Sequence, residues 1–211
     1  MKCIILIAAP AAGKGTISKY IEDKYNYKHI STGDLLRKEI KNNTSIGIKI
    51  KEIISKGSLV DDKIIEEVFS KEFKKTKTNI ILDGIPRTLA QAKMLDNLDK
   101  EYDNIDIDRV INIDIDKDIA IERIESRLIC EDCGSSYNKY LIDENICTKC
   151  GGKLSARSDD NKETFLDRYN TFLKETKPLL KYYGDKVITI YNNSSLEDIY
   201  KSVDDIFKGD E

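Results

Sequence analysis

The chain holds one histidine, no long apolar run and no excess of either charge, and each shortage closes off a class of function. With a single imidazole there is little to build a histidine-activated nucleophile or a histidine-rich metal centre from. His29, placed just before Ser31 at a candidate strand end, reads as a structural residue. Lys and Arg number 35 against 38 Asp and Glu, mixed along 211 residues for a formal net charge of -3. That balance offers no long-range attraction to nucleic acid or an anionic membrane, so a bound anion must be held by a local cluster of cations. No apolar stretch approaches the ~20 residues that span a bilayer. Repeats, low-complexity tracts and flexible linkers are missing too. Met1 to Ala9 has one positive charge and a short apolar run, but it passes straight into Gly13-Lys14-Gly15-Thr16, which needs a buried strand behind it. The expected home is therefore the cytoplasm, where thiols stay reduced.

What is present is an alternation of short β-branched runs with amphipathic segments. Lys2 to Ile7, Asn79 to Leu82, Arg109 to Asp114 and Lys186 to Ile190 read as buried strands, with Lys28 to Ser31 as a candidate fifth. Helices are expected at Lys14 to Lys24, Asp34 to Asn42, Asp61 to Phe73, Leu89 to Leu98, Asp116 to Leu128, Lys162 to Tyr183 and Ser195 to Phe207. The fold class is α/β, a parallel sheet covered on both faces with ligands at the carboxyl ends of its strands. Two segments break the alternation and read as insertions, a helical one from Ser31 to Val60 and a glycine- and cysteine-bearing one from Ile129 to Ala156.

The first strand runs into Pro10-Ala11-Ala12-Gly13-Lys14-Gly15-Thr16 and then a helix. Small residues let backbone N–H groups turn onto phosphate oxygens, and the helix N-terminus adds the positive end of its dipole. Lys14 reaches the outer phosphates and Thr16 the metal ion or phosphate in such a loop. Ala8 and Ala11 stand where such loops commonly carry glycine. Alanine takes a positive φ only at a cost, so either these positions are unstrained or the loop is reshaped. The strand Asn79 to Leu82 ends in Asp83-Gly84-Ile85-Pro86-Arg87-Thr88, with Gln91 a turn later. Asp83 is placed to hold water around Mg²⁺, and Arg87 to face phosphates. Ser31-Thr32-Gly33-Asp34-Leu35-Leu36-Arg37 comes earlier, and Arg157-Ser158-Asp159-Asp160 and Arg168 come later. Arg123 and Arg127 are expected on one face of a helix at i,i+4.

Cys130, Cys133, Cys147 and Cys150 form two C-x2-C turns separated by 13 residues. The spacing is that of a closed tetrahedral zinc site, structural because four thiolates leave no open position. Gly134 and Gly151-Gly152 permit the tight knuckles. Two disulfides are the rival arrangement, disfavoured in a reducing compartment. Cys3 is left over as a small apolar strand residue. So small a module has little core of its own, so a metal supplies the missing stabilisation.

With these motifs in order over essentially its whole length, the chain resembles the adenylate kinases, specifically those with a zinc-bearing lid. The resemblance implies a phosphate-loop kinase core with a five-stranded parallel sheet (1–30, 61–127 and 161–211), a helical monophosphate-binding insert (31–60) and a lid (128–160). It implies ATP + AMP ⇌ 2 ADP with Mg²⁺, structural Zn²⁺ and no partner beyond small nucleotides, with nothing requiring more than a monomer. It further implies that Lys14, Arg87, Arg123, Arg157 and Arg168 neutralise the moving phosphoryl group. ATP would be held by Ala11, Ala12, Gly13, Lys14, Gly15 and Thr16, with Arg127, Ser136 and Tyr137 covering it. AMP would be held by Thr32, Arg37, Ser58, Leu59, Val60, Gly84, Ile85, Pro86, Arg87, Gln91, Arg157 and Arg168. The Asp159-Asp160 pair would lock lid arginines or the hinge.

Departures from the family pattern fall in the lid, where Asn138 follows Tyr137 in place of His and Tyr140-Leu141-Ile142-Asp143-Glu144-Asn145 replaces a proline-rich stretch, and at Ile85, where an aromatic is usual. Three other functions stay open. One is a related kinase with an altered acceptor. Another is a nucleotide-binding regulator with little turnover. The third is a zinc-ribbon nucleic-acid binder, which the mixed charges Glu131, Asp132, Asp143 and Glu144 disfavour.

Overall fold

The computed structural model describes residues 1–102, 106–142, 144–157 and 159–208 (backbone only for 98–102), so Asp143 and Ser158 lie outside the described residues. The first half of the chain gives β1 (Lys2–Ala8), α1 (Lys14–Tyr25), β2 (Lys28–Ser31), α2 (Thr32–Lys41), α3 (Ser45–Ser55) and α4 (Asp62–Phe73). Next come β3 (Ile80–Asp83), α5 (Leu89–Tyr102), β4 (Asp106–Asp114) and α6 (Lys117–Ser126). A small antiparallel sheet follows, from β5 (Arg127–Cys130), β6 (Ser136–Asn138) and β7 (Leu154–Ser155). The chain returns through α7 (Lys162–Thr171), α8 (Leu179–Tyr183), β8 (Val187–Tyr191) and α9 (Leu196–Phe207).

The main sheet has the order β2-β3-β1-β4-β8, every pair parallel. β1 is its axis. Cys3, Ile5 and Ile7 point into one core cluster and Ile4, Leu6 and Ala8 into the other, the period of two that a strand buried on both faces demands. Phe69 anchors the first cluster and Phe165 the second, both fully buried. Each contributes about 1.5–3 kcal/mol through burial. Because β3 and β4 flank β1, strand order reverses there, and the crevice beyond the strand ends is where such sheets take ligands. Leu6 is paired with Asp83 and Ala8 with Ile113, so three strand ends meet at one place.

Two expected helices are cut. The α6 helix stops at Ser126, and Arg127 is extended (φ -74°, ψ 131°) because it pairs with Asn138 across β5 and β6. Arg123 and Arg127 therefore do not share a helix face. Lys162 to Tyr183 is also not one α-helix: Phe172–Thr176 forms a π-helical turn, closed by the Lys177 N–H to the Phe172 carbonyl at 2.8 Å. Pro178 has no N–H to continue the ladder, and the wider turn absorbs the interruption. The turn sets Thr176 Oγ1 to donate to the Arg87 carbonyl at 2.9 Å. Within the first insert, α3 doubles back on α2 so closely that a Cβ on Gly47 would stand 2.1 Å from the Glu39 carbonyl oxygen.

Candidate active site

The α1 helix begins without a side-chain cap and without an acidic residue in its first turn. The contrast is with α2, α3, α4, α7 and α9, whose N-cap side chains Ser31, Thr44, Asp61, Asn161 and Ser195 each accept a backbone N–H. The orphan donors of α1 are left facing the cleft. Gly13 takes φ 86° at the helix start, and Ala11 takes φ 60°, so alanine does occupy the left-handed region here; Ala8 is ordinary strand. Lys14 folds back so that Nζ donates to the carbonyls of Ala8 and Ala9, both at 3.3 Å. Lys14 is half-buried at the cleft, and the surrounding protein pushes its pKa down to about 8, burial acting first and the charges of Arg87, Arg127 and Arg168 adding to it against Asp83.

Asp83 ends β3 beside this loop. Burial acts to raise its pKa, but His29, whose Nε2 lies 3.5 Å from Oδ2, together with Lys14 and Arg87, holds the carboxyl below its usual range. It is an anion at neutral pH. Next to it, Gly84 (φ 82°) faces Thr32, whose Oγ1 donates to the Asp83 carbonyl at 3.3 Å. The Arg87 Nε donates to the Gly84 carbonyl at 3.1 Å, and its backbone N–H donates to Gln91 Oε1 at 2.7 Å.

A cleft of about 2020 Å³ collects the sequence-derived candidates. Ala11 to Thr16, Asp83, Arg87, Arg123, Arg127, Arg157, Arg168, Ser136 and Tyr137 all line it. The cations crowd one another. Arg157 is lowered to about 10, first by burial and then by Arg37 and Arg127, and its Nε is buried with no hydrogen-bond partner among the described residues. Asp159 pairs with Arg168, Asp160 with Arg127 and Asp34 with Arg37, which ties down three of the cations.

A smaller cavity of about 60 Å³ opens off it, lined by Thr32, Arg37, Ser58, Leu59, Val60, Gly84, Arg87, Gln91 and Arg168 with apolar Leu36, Ile54 and Ile65. Pro86 and Arg157 face the large cleft instead. Ile85 lines neither: its side chain is 0% exposed in the core, so only its backbone is near the cleft.

Above the cleft, the two cysteine turns repeat one pattern. Gly134 and Gly151 donate to the carbonyls of Cys130 and Cys147, while the N–H groups of those cysteines donate to the carbonyls of Ser135 and Gly152. Both glycines have positive φ, 72° and 76°. All four sulfurs lie within 4.8 Å of one another, Cys130 to Cys150 at 3.5 Å and Cys133 to Cys147 at 3.6 Å, and no disulfide joins them. Sulfurs about 2.3 Å from a tetrahedral zinc stand roughly 3.8 Å apart, so the set fits an ion of that kind. Tyr137 Oη lies 3.1 Å from Cys147 Sγ, linking the knot to the cleft wall. Cys3 is a buried strand residue.

Sequence reading missed the wall contributed by the end of β8 and the start of α9. Asn192, Ser194, Leu196 and Tyr200 line the cleft beside the phosphate loop. The signal was available, since every strand of a parallel sheet delivers its next residue to the same edge.

Such a concentration of donors and fixed positive charge around one opening is machinery for moving a phosphoryl group between two anions, and in class the molecule is a phosphate-loop kinase. The family model for adenylate kinase matches residues 6–188. The chain is 41% identical over 208 residues to an adenylate kinase of Acetivibrio thermocellus, covering 95% of each chain. It is 39% identical over 213 residues to one of Bacillus pumilus, covering 98% of each, and 39% identical over 207 residues to one of Caldicellulosiruptor bescii, covering 95% of this chain and 96% of that one. It belongs to the adenylate kinase family. Among the described residues, no helix is long and apolar enough to cross a membrane.

Proposed function

We propose that the enzyme catalyses reversible transfer of the terminal phosphoryl group of ATP to AMP, giving two ADP. The observation that carries this is the meeting of the uncapped loop of α1 with Lys14, Arg87, Arg123, Arg157 and Arg168 around one cleft that has a side pocket. In this reading the loop 11–16 holds the ATP phosphates and Arg127, Ser136 and Tyr137 cover the nucleotide. The insert 31–60 closes over AMP, with Thr32, Arg37, Ser58 to Val60, the Gly84–Arg87 backbone and Gln91 around it. Residues 1–30, 61–127 and 161–211 form the core on which both move.

An AMP phosphate oxygen is already ionised near neutral pH, so no general base is needed. That oxygen bonds to the γ-phosphorus as the bond from phosphorus to the bridging oxygen breaks, and ADP departs with that oxygen. The arginines and Lys14 offset the charge spread over the transferring group. Mg²⁺ entering with ATP would supply further charge neutralisation, and Asp83, anionic and with a side chain 13% exposed beside the phosphate loop, would hold water around it. Cys130, Cys133, Cys147 and Cys150 would hold a structural Zn²⁺ that stiffens the lid 128–160, which excludes water from the transfer. Reduced thiols fit a cytoplasmic setting. The proposed acting unit is a single chain.

The test is a coupled assay of ATP with AMP, GMP, CMP and UMP in turn, repeated on Lys14→Ala. ADP formation with AMP, lost by at least about a hundredfold in a folded Lys14→Ala variant, is expected. Preference for another monophosphate would reassign the acceptor. Tight binding of a linked adenosine pair without ADP formation would make the chain a regulator.

A further inference from the structure

Asn192, the residue after β8, has no part in the reaction above. Its N–H donates to the Asp114 carbonyl at 2.7 Å, carrying the β4–β8 pairing one step past the strand. The side chain then turns onto the phosphate loop, where Nδ2 donates to the Ala12 carbonyl at 2.8 Å in a buried bond across 180 positions of sequence. Ala12 dictates the amide's orientation, because the reversed group would set two acceptors face to face. Oδ1 is left buried without a partner among the described residues.

The other holds on this turn fall to either side of Ala12: Lys14 Nζ donates to the Ala8 and Ala9 carbonyls, and the Gly13 carbonyl accepts the Thr16 and Ile17 N–H groups. The Ala12 N–H reaches the Ala9 carbonyl only at 3.4 Å. The carbonyl that Asn192 grips lies between Ala11 at φ 60° and Gly13 at φ 86°. Alanine in the left-handed region carries a steric penalty that glycine does not, so the loop has a drive to relax out of its cradle. Asn192 also fills the space over Gly13, where a Cβ would stand 2.6 Å from Nδ2.

We propose that Asn192 is a positioning residue of the donor site, a strut from the end of β8 that holds the phosphate loop cradled despite the left-handed Ala11. The proposal rests on the reading that ATP phosphates occupy this loop. It is tested with Asn192→Ala, with Asn192→Asp, which keeps the shape but puts an acceptor against the Ala12 carbonyl, and with Asn192→Ala combined with Ala11→Gly. In nucleotide-free protein, amides of residues 11–14 should exchange roughly tenfold faster in both single variants. The KM for ATP should rise about tenfold while that for AMP stays within about twofold. Ala11→Gly should recover most of the loss, since glycine reaches the same φ unstrained. Unchanged loop exchange would overturn the proposal, and so would a matched rise in both KM values with a lowered melting temperature. If the unmodified enzyme moved no phosphoryl group from ATP, the reaction reading would fail, and loop exchange alone would still decide for or against the strut.

Discussion

Asp160 grips Arg127 with both carboxylate oxygens, one accepting from Nε at 2.7 Å and the other from Nη2. Arg127 opens β5, where the chain enters the small sheet, and Asp160 lies just before α7, where it returns. The pair is a cross-link at the neck of the cysteine-bearing segment. Asp160 is 1% exposed and Arg127 20%, so the charges are well desolvated. Asp160→Ala leaves the guanidinium unpaired and should cost about 3 kcal/mol of stability. Urea unfolding measures it, and a loss under about 1 kcal/mol would show the pair to be no more than a surface contact.

The lowered pKa of Lys14 sets a pH dependence. With the free-enzyme pKa near 8, the ammonium is charged below that pH and neutral above it, so affinity for a polyphosphate should fall as pH rises through about 8. Lys14→Arg, charged at every accessible pH, should flatten the profile. Titration of ATP binding between pH 6.5 and 9.5, about three units around that pKa, decides the matter. Folding stability runs the other way. Unfolded Lys14 titrates at the ordinary 10.5, so between about 8 and 10.5 the unfolded chain binds more protons and this residue's contribution rises with pH.

Removing one cysteine of the knot should uncouple the lid. Cys130→Ser takes a sulfur from a residue 1% exposed in a small cluster that, among the described residues, holds Cys147 and Leu154 with Leu128, Tyr137 and Ile142 packed against them. Zinc content should drop from about one ion per chain, and residues 128–157 should lose protease resistance before the parallel core does. Full zinc content in the variant would sink the tetrahedral assignment.

The Tyr137 hydroxyl lies 3.1 Å from Cys147 Sγ and 3.2 Å from Thr148 Oγ1, against one of the four cysteines proposed to hold the metal. Tyr137→Phe keeps the ring and should speed zinc loss to a chelator by about 10–100-fold. A release rate unchanged from the parent would mean the hydroxyl does not act on the metal.

Local chemistry made much of this legible. The two-sided burial of β1, the small-residue turn into Lys14 and the paired cysteine spacings are short-range patterns with one physical reading each. Arg127 was misplaced because Ile119, Ile121, Ile124 and Leu128 continue an apolar helical rhythm, and what ends it, pairing with Asn138 and Asp160, comes from distant sequence. The single helix expected from Lys162 to Tyr183 runs through Pro178, whose missing N–H argues for a break, but nothing local specifies that Phe172–Thr176 widens into a π turn. For Asn192 the place, at the end of a parallel strand, was readable, but the role was not. An asparagine after a strand is commonplace, and its importance comes only from the Ala12 carbonyl that the fold brings to it.

The closeness of Arg127 and Asp160 also bears on how this protein tolerates change. A segment whose ends are clasped together is topologically a cassette, and its interior can be lengthened, trimmed or exchanged without re-registering any strand of the parallel sheet. Both cysteine turns lie above that neck, and grafting a different segment onto the same clasp should leave the phosphate-loop floor undisturbed.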